Sequence, residues 1–283
     1  MPELPEVETI ARQLRTYLQD RTITGVEVLW ERTLDRPAPR IFKDALIGAK
    51  IKTIGRRGKY LLITLDNEQV LVVHLRMTGK FLVYAHGTGH EIDPHVRVRF
   101  ELDDQQQLIF SDTRKFGRLY LVKDHREITG ELGPEPLSAA FTAEIFGERL
   151  TGHRGEIKRL LLNQHFIAGI GNIYASEALW HAGIHPQRAA NTLTGEEAAR
   201  LHKAIVQTLE ESLQNGGTSL SDRQYVYPNG DLGQQQEQLR VYERDGERCP
   251  CCGYAIQRIV QGQRSTYFCP VCQKPPQAGH NNL

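Results

Sequence analysis

Cysteine is missing from most of the chain, since all five cysteines lie between Cys249 and Cys272. Methionine is also scarce, with Met1 and Met77 as the only two. No apolar run approaches the roughly 20 residues of a membrane-spanning helix, and the first residues carry acids where a secretory signal would carry a basic region followed by an apolar one. These absences argue against a membrane protein, a secreted protein and a disulfide framework. We therefore expect an intracellular protein that has no contact with a membrane.

Net charge is almost absent as well. The 35 basic and 34 acidic residues sum to +1, so the total charge does not indicate a nucleic-acid partner. The distribution is more informative, because residues 248–283 contain four basic residues and no acid, a charge of +4, which leaves −3 for residues 1–247. With 283 residues, 40% of them hydrophobic, the chain is long enough for two or three domains. A basic C-terminal module on a near-neutral body favours a polyanionic partner.

The cysteines themselves have the spacing of a metal site. Two C-x2-C pairs are separated by 16 residues, as is typical of one tetrahedral zinc ion held by four thiolates. Disulfides are the alternative, which the absence of a secretion signal disfavours. Strands predicted at 255–260 and 264–268 would form a hairpin around the turn 261–263, with Arg264 just after it. Cys251 is the spare cysteine, and the predicted ligands are Cys249, Cys252, Cys269 and Cys272.

The order of predicted elements suggests several domains. Apolar residues at helical spacing predict a helix from Pro5 to Asp20. Seven or eight short strands follow up to residue 122, which predicts an antiparallel sandwich or barrel. A Gly-Pro-rich linker at 132–136 leads into a helical region, and the polar stretch 218–240 is predicted to be a mobile loop. The helices predicted between them lie near 157–162, 173–182 and 196–213.

The first residues, Met1-Pro2-Glu3-Leu4-Pro5-Glu6, allow an unusual chemistry. If Met1 is removed, Pro2 has a free secondary amine, and a terminal amine has a reference pKa near 8, well below that of lysine. An uncharged amine can attack an aldehyde carbon and form an iminium, and Glu3 could donate or accept a proton. The alternative is that these prolines simply begin a helix.

Three further turns carry residue types suited to DNA, each with an ordinary structural alternative. The basic turn 56–59, which ends in Lys59, either grips a phosphate or is solvated. Met77 at a strand end either fills a gap in the core or acts as a wedge in a base stack. In the turn 112–117, Phe116 either tucks inward or forms a second wedge, with Arg114 reading the orphaned base.

A glycine-bracketed turn at 169–177 runs into a predicted helix. Backbone N–H groups at such a helix start favour a phosphate, although tight turns between helices also need glycine. Lys158, one helix earlier, is a plausible second phosphate partner.

Together these motifs resemble the formamidopyrimidine-DNA glycosylase family, in order from residue 2 to about residue 274. The resemblance implies an α+β multidomain fold. Residues 1–132 would form an antiparallel β-sandwich led by an α-helix, and residues 133–240 a helix–two-turns–helix domain with a lesion-capping loop near 218–240. Residues 241–283 would form a β-hairpin zinc ribbon. The matching stretches are Pro2–Glu6, Arg57–Tyr60, His74–Met77, Asp112–Gly117, Leu132–Leu137, Gly169–Glu177, Gly216–Ser219 and the ribbon with Gln263-Arg264.

The family resemblance also implies an activity. The chain would be a bifunctional DNA glycosylase and AP lyase of base excision repair, which excises 8-oxoguanine and formamidopyrimidines and then nicks the strand by β,δ-elimination. Pro2 would attack C1′ of the lesion sugar, with Glu3 as the proton donor for ring opening. Lys59 would act in β-elimination and Arg264 in δ-elimination. One zinc ion would be structural and would position Arg264.

The implied partner is double-stranded DNA that contains an oxidised base. The resemblance further implies a monomer in the bacterial cytoplasm, associated with the nucleoid. Glu6 and Glu177 match carboxylates near the lesion pocket. The residues implied to contact DNA, by filling the void or binding phosphate, are Met77, Arg114, Phe116, Asn172, Lys158, His95 and Arg154.

Two stretches depart from the family pattern and leave alternatives open. Residues 86–95 do not clearly match the family's His-rich turn, and residues 227–236 differ from its usual lesion loop, which puts the substrate preference in doubt. One alternative is an endonuclease VIII-like glycosylase for oxidised pyrimidines, although Leu4 favours the purine branch. Another is a damaged-DNA-binding protein without catalysis. The presence of all four residues implied in catalysis argues against it; they are Pro2, Glu3, Lys59 and Arg264.

Overall fold

The computed structural model describes residues 1–85, 93–219 and 225–275. The chain divides into two compact units. The first contains Met1–Glu131 together with Ser212–Gln236, and the second contains Leu132–Glu211 together with the chain from Glu237 onward. The first unit is built mainly of strands and the second of helices with one hairpin, so the predicted α+β multidomain fold is confirmed.

Helix α1, Leu4–Leu18, begins the first unit and matches the helix predicted from the apolar spacing. It ends where Gln19 adopts an extended backbone, with ψ of 133°. Burying an aliphatic side chain stabilises a fold by about 1.5–3 kcal/mol, so its apolar face holds the start of the chain in a fixed place. The side chains buried on this face include Leu4, Val7, Ile10, Leu14 and Leu18.

Two sheets follow α1 and form the predicted sandwich rather than a barrel. One has the order β1-β7-β8-β6 and the other β2-β9-β5-β4-β3, with only the pair β2/β9 parallel. Strand β2 was not predicted, because three residues are too few to show an alternating pattern. The strands are β1 Ile23–Val28, β2 Leu34–Arg36, β3 Ile51–Arg57, β4 Tyr60–Leu65, β5 Val70–His74, β6 Gly79–Ala85, β7 Val96–Leu102, β8 Gln106–Asp112 and β9 Arg118–Val122.

One hydrophobic core joins α1 to both sheets of the first unit. Phe81 and Phe110 are both fully buried in it, with ring centroids 5.3 Å apart. Helix α2, Pro39–Leu46, contributes Phe42 and Leu46 to the same core. The short helix α3, Arg126–Thr129, follows β9. The turns at the ends of these strands therefore rest on a rigid layer.

The second unit contains four α-helices in its described part. Helix α4 was not predicted; it begins where the Thr142 hydroxyl accepts a hydrogen bond from the Ile145 amide at 3.3 Å. Helix α6 ends at Gly183, whose φ of +69° is the usual left-handed stop. In the part of the chain that the structure describes, no helix is long and apolar enough to cross a bilayer. The helices are α4 Ala143–Thr151, α5 Ile157–Leu161, α6 Asn172–Ala182 and α7 Gly195–Gln214.

A two-stranded hairpin, β10 Gln257–Gln261 and β11 Arg264–Phe268, completes the second unit. Its turn is shorter than predicted, because Gln261 pairs with Arg264 and only two residues connect the strands. Gly262 and Gln263 both have positive φ, +52° and +63°, as the favoured two-residue hairpin turn requires. Arg264 therefore lies directly after the turn, as the sequence predicted.

Candidate active site

The chain start is buried and capped rather than frayed. Glu3 has an extended backbone before α1, and its amide donates to the Glu6 carboxylate at 2.8 Å. A glutamate three residues after the capping residue is the pattern of a capping box. Pro2 is buried and Glu3 is only 3% exposed, while Met1 is 40% exposed. The Glu3 carboxylate in turn accepts from the Glu6 amide, so the buried Pro2 precedes a helix start that is fixed by reciprocal hydrogen bonds.

Glu6 links this start to the stretch Gly216–Ser219 of the same unit. Its second carboxylate oxygen accepts from the Thr218 amide at 2.8 Å. Gly217 has φ of +84°, and a Cβ there would come within 2.9 Å of the Glu6 oxygen, so only glycine fits the close approach. The glycine motif read from the sequence therefore serves a contact between segments that are 212 residues apart.

Two tyrosines that the sequence did not indicate support the same stretch. The hydroxyls of Tyr225 and Tyr227 each donate to the Gly216 carbonyl at 3.0 Å. Burial, together with the nearby negative charge of Glu6, raises the pKa of Tyr225 above its ordinary value. Both hydroxyls thus remain protonated donors. The described residues of the predicted loop 218–240 include this pair and one 3-10 turn, Gln235–Gln238.

Lys59 is buried, at 5% exposure, so the alternative of a solvated turn is wrong for this residue. It follows Gly58 in the two-residue turn between β3 and β4. Its charge contributes to the environment of His74, which pairs across the sheet with Tyr60 and meets that ring edge-on at 4.6 Å. Burial, and then the charges of Arg76 and Lys59, lower the pKa of His74 to about 3. The imidazole is therefore neutral, and its Nδ1 accepts from the Arg76 amide at 3.0 Å.

Met77, Arg114 and Phe116 are brought together as one exposed cluster. Arg114 Nη1 lies 3.3 Å from the Met77 sulfur, and the guanidinium carbon lies 4.8 Å from the centre of the Phe116 ring. Met77 is 42% exposed and Phe116 48% exposed. The alternatives of a core gap-filler and of an inward-facing phenylalanine are therefore wrong. Two apolar side chains and a cation project from neighbouring turns.

A single buried carboxylate shapes the turn that carries this cluster. Asp112, 1% exposed, accepts hydrogen bonds from the Gly117 amide at 2.7 Å, the Arg114 amide at 3.1 Å and the Thr78 hydroxyl. A Cβ on Gly117 would meet the Phe110 ring at 2.5 Å, so the turn also requires glycine there. Asp112 belongs to the recognised motif, but its structural role was missed. The signal was available, because aspartate commonly accepts from amides that follow it in a turn.

In the second unit, Lys158 and Asn172 both hold β11. Lys158 is 1% exposed, and its Nζ donates to the Thr266 hydroxyl at 2.8 Å and to the Ser265 carbonyl at 3.2 Å. Asn172, the first residue of α6, donates to the same carbonyl at 2.9 Å. The two predicted phosphate ligands thus meet one residue after Arg264, which is exposed. They fix the strand on which Arg264 begins.

Glu177 supports the segment 240–242 of the same unit. Its carboxylate is 2% exposed and accepts from the amides of Arg240, Val241 and Tyr242 at 2.8, 3.0 and 2.8 Å. Burial raises the pKa of Glu177, and the three hydrogen bonds oppose that shift. The motif glutamate at the end of 169–177 thus fixes a backbone segment within the second unit.

The four predicted zinc ligands form one cluster. Their sulfur atoms all lie within 4.8 Å of one another. Two pairs are closer, Cys249–Cys272 at 3.8 Å and Cys252–Cys269 at 3.4 Å. Zinc–sulfur bonds of about 2.3 Å in a tetrahedron require sulfurs roughly 3.8 Å apart. The cluster fits one structural zinc ion, with Cys251 exposed and outside the ligand set, as predicted.

His95 and Arg154 belong to different units. The His95 carbonyl accepts a hydrogen bond from the Asp112 amide at 2.9 Å, so His95 lies beside the turn that carries Arg114 and Phe116. His95 Nδ1 lies 3.5 Å from Arg97 Nη2, next to the segment 86–92, which is outside the described residues. Arg154 is exposed in the connection between α4 and α5. Within the described ranges, no hydrogen bond or ion pair joins Arg154 to the other predicted site residues.

Three family models match successive parts of the chain. The formamidopyrimidine-DNA glycosylase N-terminal domain matches residues 1–119, and the H2TH domain of the same enzymes matches residues 132–224. The zinc finger found in FPG and IleRS matches residues 246–275. These three matches together cover well over half of the chain.

Individual relatives agree with the family models over almost the full length. The formamidopyrimidine-DNA glycosylase of Chloroflexus aurantiacus is 50% identical, over 96% of this chain and 98% of its own. The MutM (Fpg) structure from Thermus thermophilus is 42% identical with a TM-score of 0.87, over 96% of this chain and 98% of its own. The Lactococcus lactis Fpg (MutM) in complex with DNA containing Fapy-dG is 35% identical with a TM-score of 0.88, over 96% of this chain and 100% of its own. The chain therefore belongs to the formamidopyrimidine-DNA glycosylase family of DNA-repair enzymes, which are glycosylases with an AP lyase activity.

Proposed function

We propose that this chain excises oxidised purines from double-stranded DNA through an iminium at Pro2 and then nicks the strand by β,δ-elimination. The observation that carries the proposal is the buried, capped chain start, where Pro2 is fixed beside the buried Glu3. Formamidopyrimidines and 8-oxoguanine are the proposed bases. The Lactococcus lactis complex with Fapy-dG DNA supports this substrate class.

The proposed reaction begins after removal of Met1. The free nitrogen of Pro2 attacks C1′ of the lesion sugar, and the base leaves with the bond electrons and takes up the proton that the amine loses. Glu3 then donates a proton to the ring oxygen as its bond to C1′ breaks and the iminium forms. The resulting iminium acidifies the C2′ proton, whose loss expels the 3′ phosphate; Lys59 acts in this step. A second elimination, assisted by Arg264, expels the 5′ phosphate.

Extrusion of the target base leaves a hole in the duplex. Unstacking costs a few kcal/mol, and apolar wedges that enter the stack offset this cost. We assign this role to the exposed cluster of Met77, Arg114 and Phe116, with Arg114 facing the opposite base. The residues assigned to phosphate or other DNA contacts are Asn172, Lys158, His95 and Arg154.

We assign catalysis to a domain of residues 1–132, DNA binding to residues 133–240, and the zinc ribbon to residues 241–283. The proposed working form is a monomer in the bacterial cytoplasm, associated with the nucleoid.

Borohydride trapping on a panel of lesions tests the activity. We expect a covalent protein–DNA adduct with duplexes that contain 8-oxoguanine opposite cytosine, and less adduct with thymine glycol. A clear preference for thymine glycol would favour the oxidised-pyrimidine alternative, which a Lactococcus lactis Fpg complex with oxidised-pyrimidine DNA keeps open. Binding of lesion DNA without any adduct would support the non-catalytic alternative.

A further inference from the structure

A small pocket in the second unit lies beside the hairpin turn. Its volume is about 230 Å³, room for several waters at roughly 30 Å³ each, or for one phosphate group. Two of its residues are arginines and none is acidic. The lining residues are Arg159, Leu162, Asn163, Gln261, Gly262 and Arg264.

The two arginines approach the pocket from different elements. Arg159 belongs to α5, and its Nε would lie 3.5 Å from a Cβ built on Gly262, so its guanidinium packs over the backbone of the turn. Arg264 begins β11 on the other side of that turn. Both side chains are exposed, and neither forms an ion pair within the residues that the structure describes. Two cations thus line one pocket without a compensating carboxylate.

The polar groups of the wall suit a hydrated anion. The side-chain oxygen of Asn163, Oδ1, accepts from the His165 amide at 3.0 Å, so the side-chain NH2 group is the donor that remains. Gln261 is 5% exposed; its NH2 donates to the Pro186 carbonyl at 3.3 Å, and its buried carbonyl oxygen has no partner among the described residues. That oxygen can accept from a water held in the pocket.

Arg159 differs from its neighbour Lys158 in what it holds. Lys158 is buried and donates to β11, whereas Arg159 faces solvent. A guanidinium also presents its donors as a planar fork that matches two phosphate oxygens. Of the two neighbouring cations, Arg159 is therefore the one whose donors face solvent.

We propose that Arg159 and Arg264 together hold a phosphate group of DNA in this pocket, which makes Arg159 a DNA-binding residue that no motif of the sequence indicated. The inference rests on the proposed function for the presence of DNA. Two sources offer this chemistry, the diester of an intact strand and the terminal phosphate that elimination leaves at a nick.

Salt-dependent binding of the full-length, zinc-loaded protein tests the proposal. The probe is a labelled duplex with a tetrahydrofuran abasic analogue opposite cytosine, titrated between about 50 and 200 mM salt. Loss of one phosphate contact lowers the slope of log K against log salt by about 0.9. For Arg159→Ala we expect that change in slope. The affinity of the variant divided by that of the wild type should then change about 3.5-fold between about 50 and 200 mM salt. Arg159→Lys should retain most of the slope.

Arg200→Ala is the matched control, because Arg200 is an exposed arginine on α7 of the same unit. Its slope should equal that of the wild type, and an equal loss in both variants would mean that only total charge matters. Such a result would overturn the proposal. Unchanged zinc content and melting temperature of Arg159→Ala exclude a folding defect.

A second arm separates the two phosphate sources. Gapped duplexes are compared with terminal phosphates or with terminal hydroxyls. A lower slope on the intact duplex assigns the pocket to a diester, whereas a lost preference for phosphate ends alone assigns it to the product. If neither changes while Arg159→Ala still forms the borohydride adduct at the wild-type level, the pocket proposal fails and the proposed function stands.

Discussion

Arg114 and Arg264 are held in position by two different kinds of interaction. Arg114 sits on a turn whose shape depends on hydrogen bonds to one buried carboxylate, that of Asp112. Arg264 sits at the start of a hairpin strand that a four-cysteine cluster and Lys158 hold in place. Hydrogen bonds between the Asp112 side chain and backbone amides hold the first arginine on the sandwich, and the position of the second depends on a metal ion. A rigid sheet thus positions Arg114, whereas Arg264 needs zinc because the short hairpin has only a small core of its own.

Removal of zinc should have the largest effect and should act on the hairpin alone. Structural zinc contributes on the order of 10–16 kcal/mol in small metal domains, which is comparable to the whole stability of a typical domain. For Cys269→Ser we expect loss of zinc and a fall in δ-elimination product of at least about 100-fold, or roughly 2.7 kcal/mol of activation free energy. Metal analysis and product gels measure both.

Arg264→Ala is the control for that experiment. It should retain zinc and the wild-type melting temperature while it loses affinity and δ-elimination. A wild-type level of δ-elimination product from the zinc-free variant would show that the hairpin does not need its metal. Loss of zinc from Arg264→Ala would show that this arginine is structural.

Asp112→Asn should disrupt the turn that carries Arg114. The amide offers one acceptor oxygen where the carboxylate has two, and a hydrogen bond to a charged group is worth about 1.5–3 kcal/mol. We expect a loss of about 3 kcal/mol in the free energy of unfolding and weaker discrimination of the opposite base. Denaturant unfolding and excision opposite each of the four bases measure these effects.

Asp103→Asn provides the comparison for Asp112. Asp103 is exposed and accepts one bond, from the Thr22 amide at 3.0 Å, so its free energy of unfolding should change by less than about 0.5 kcal/mol. Equal effects of the two substitutions would contradict the special role of the buried carboxylate.

Low pH should destabilise the end of β5 at His74, three residues before Met77. Because burial lowers the pKa of His74 to about 3, the unfolded chain binds a proton there more readily than the folded one. The stability contribution is complete above about pH 6.5 and declines by about 1.4 kcal/mol per unit as the pH falls towards the folded-state pKa. His74→Gln should lose less stability than the wild type between about pH 6.5 and 4. His165→Gln, an exposed control, should follow the wild type, and identical profiles for all three proteins would refute the assignment.

Met77→Ala should have the smallest effect on the fold. Met77 is 42% exposed and contacts the Arg114 guanidinium through its sulfur, so stability should change by no more than about 0.5 kcal/mol. Excision should fall more than stability, because the wedge is lost. A large drop in melting temperature would instead mean that Met77 serves the core.

Local patterns predicted what depends on local spacing. The apolar period of α1, the strands Tyr60–Leu65 and Arg118–Val122, and the two cysteine pairs are each visible within a short window. Helix α4 escaped prediction because Gly147 interrupts a weak apolar period.

Contacts between distant segments were not predictable in the same way. The bond from the Thr218 amide to Glu6 joins residues 212 positions apart. A single sequence shows which residue types occur but not which distant backbone groups meet. The role of Asp112 lay between these cases, since the amides that donate to it are local while its burial comes from the sheets.

Peptide mapping of the borohydride-reduced adduct tests the central claim most directly. The protein is trapped on 8-oxoguanine duplex, digested, and the modified residue is identified by mass spectrometry beside the state of its N-terminus. We expect Met1 to be absent and the DNA remnant to be attached to the nitrogen of Pro2. An adduct on Lys59, or an active protein that still carries Met1, would contradict it.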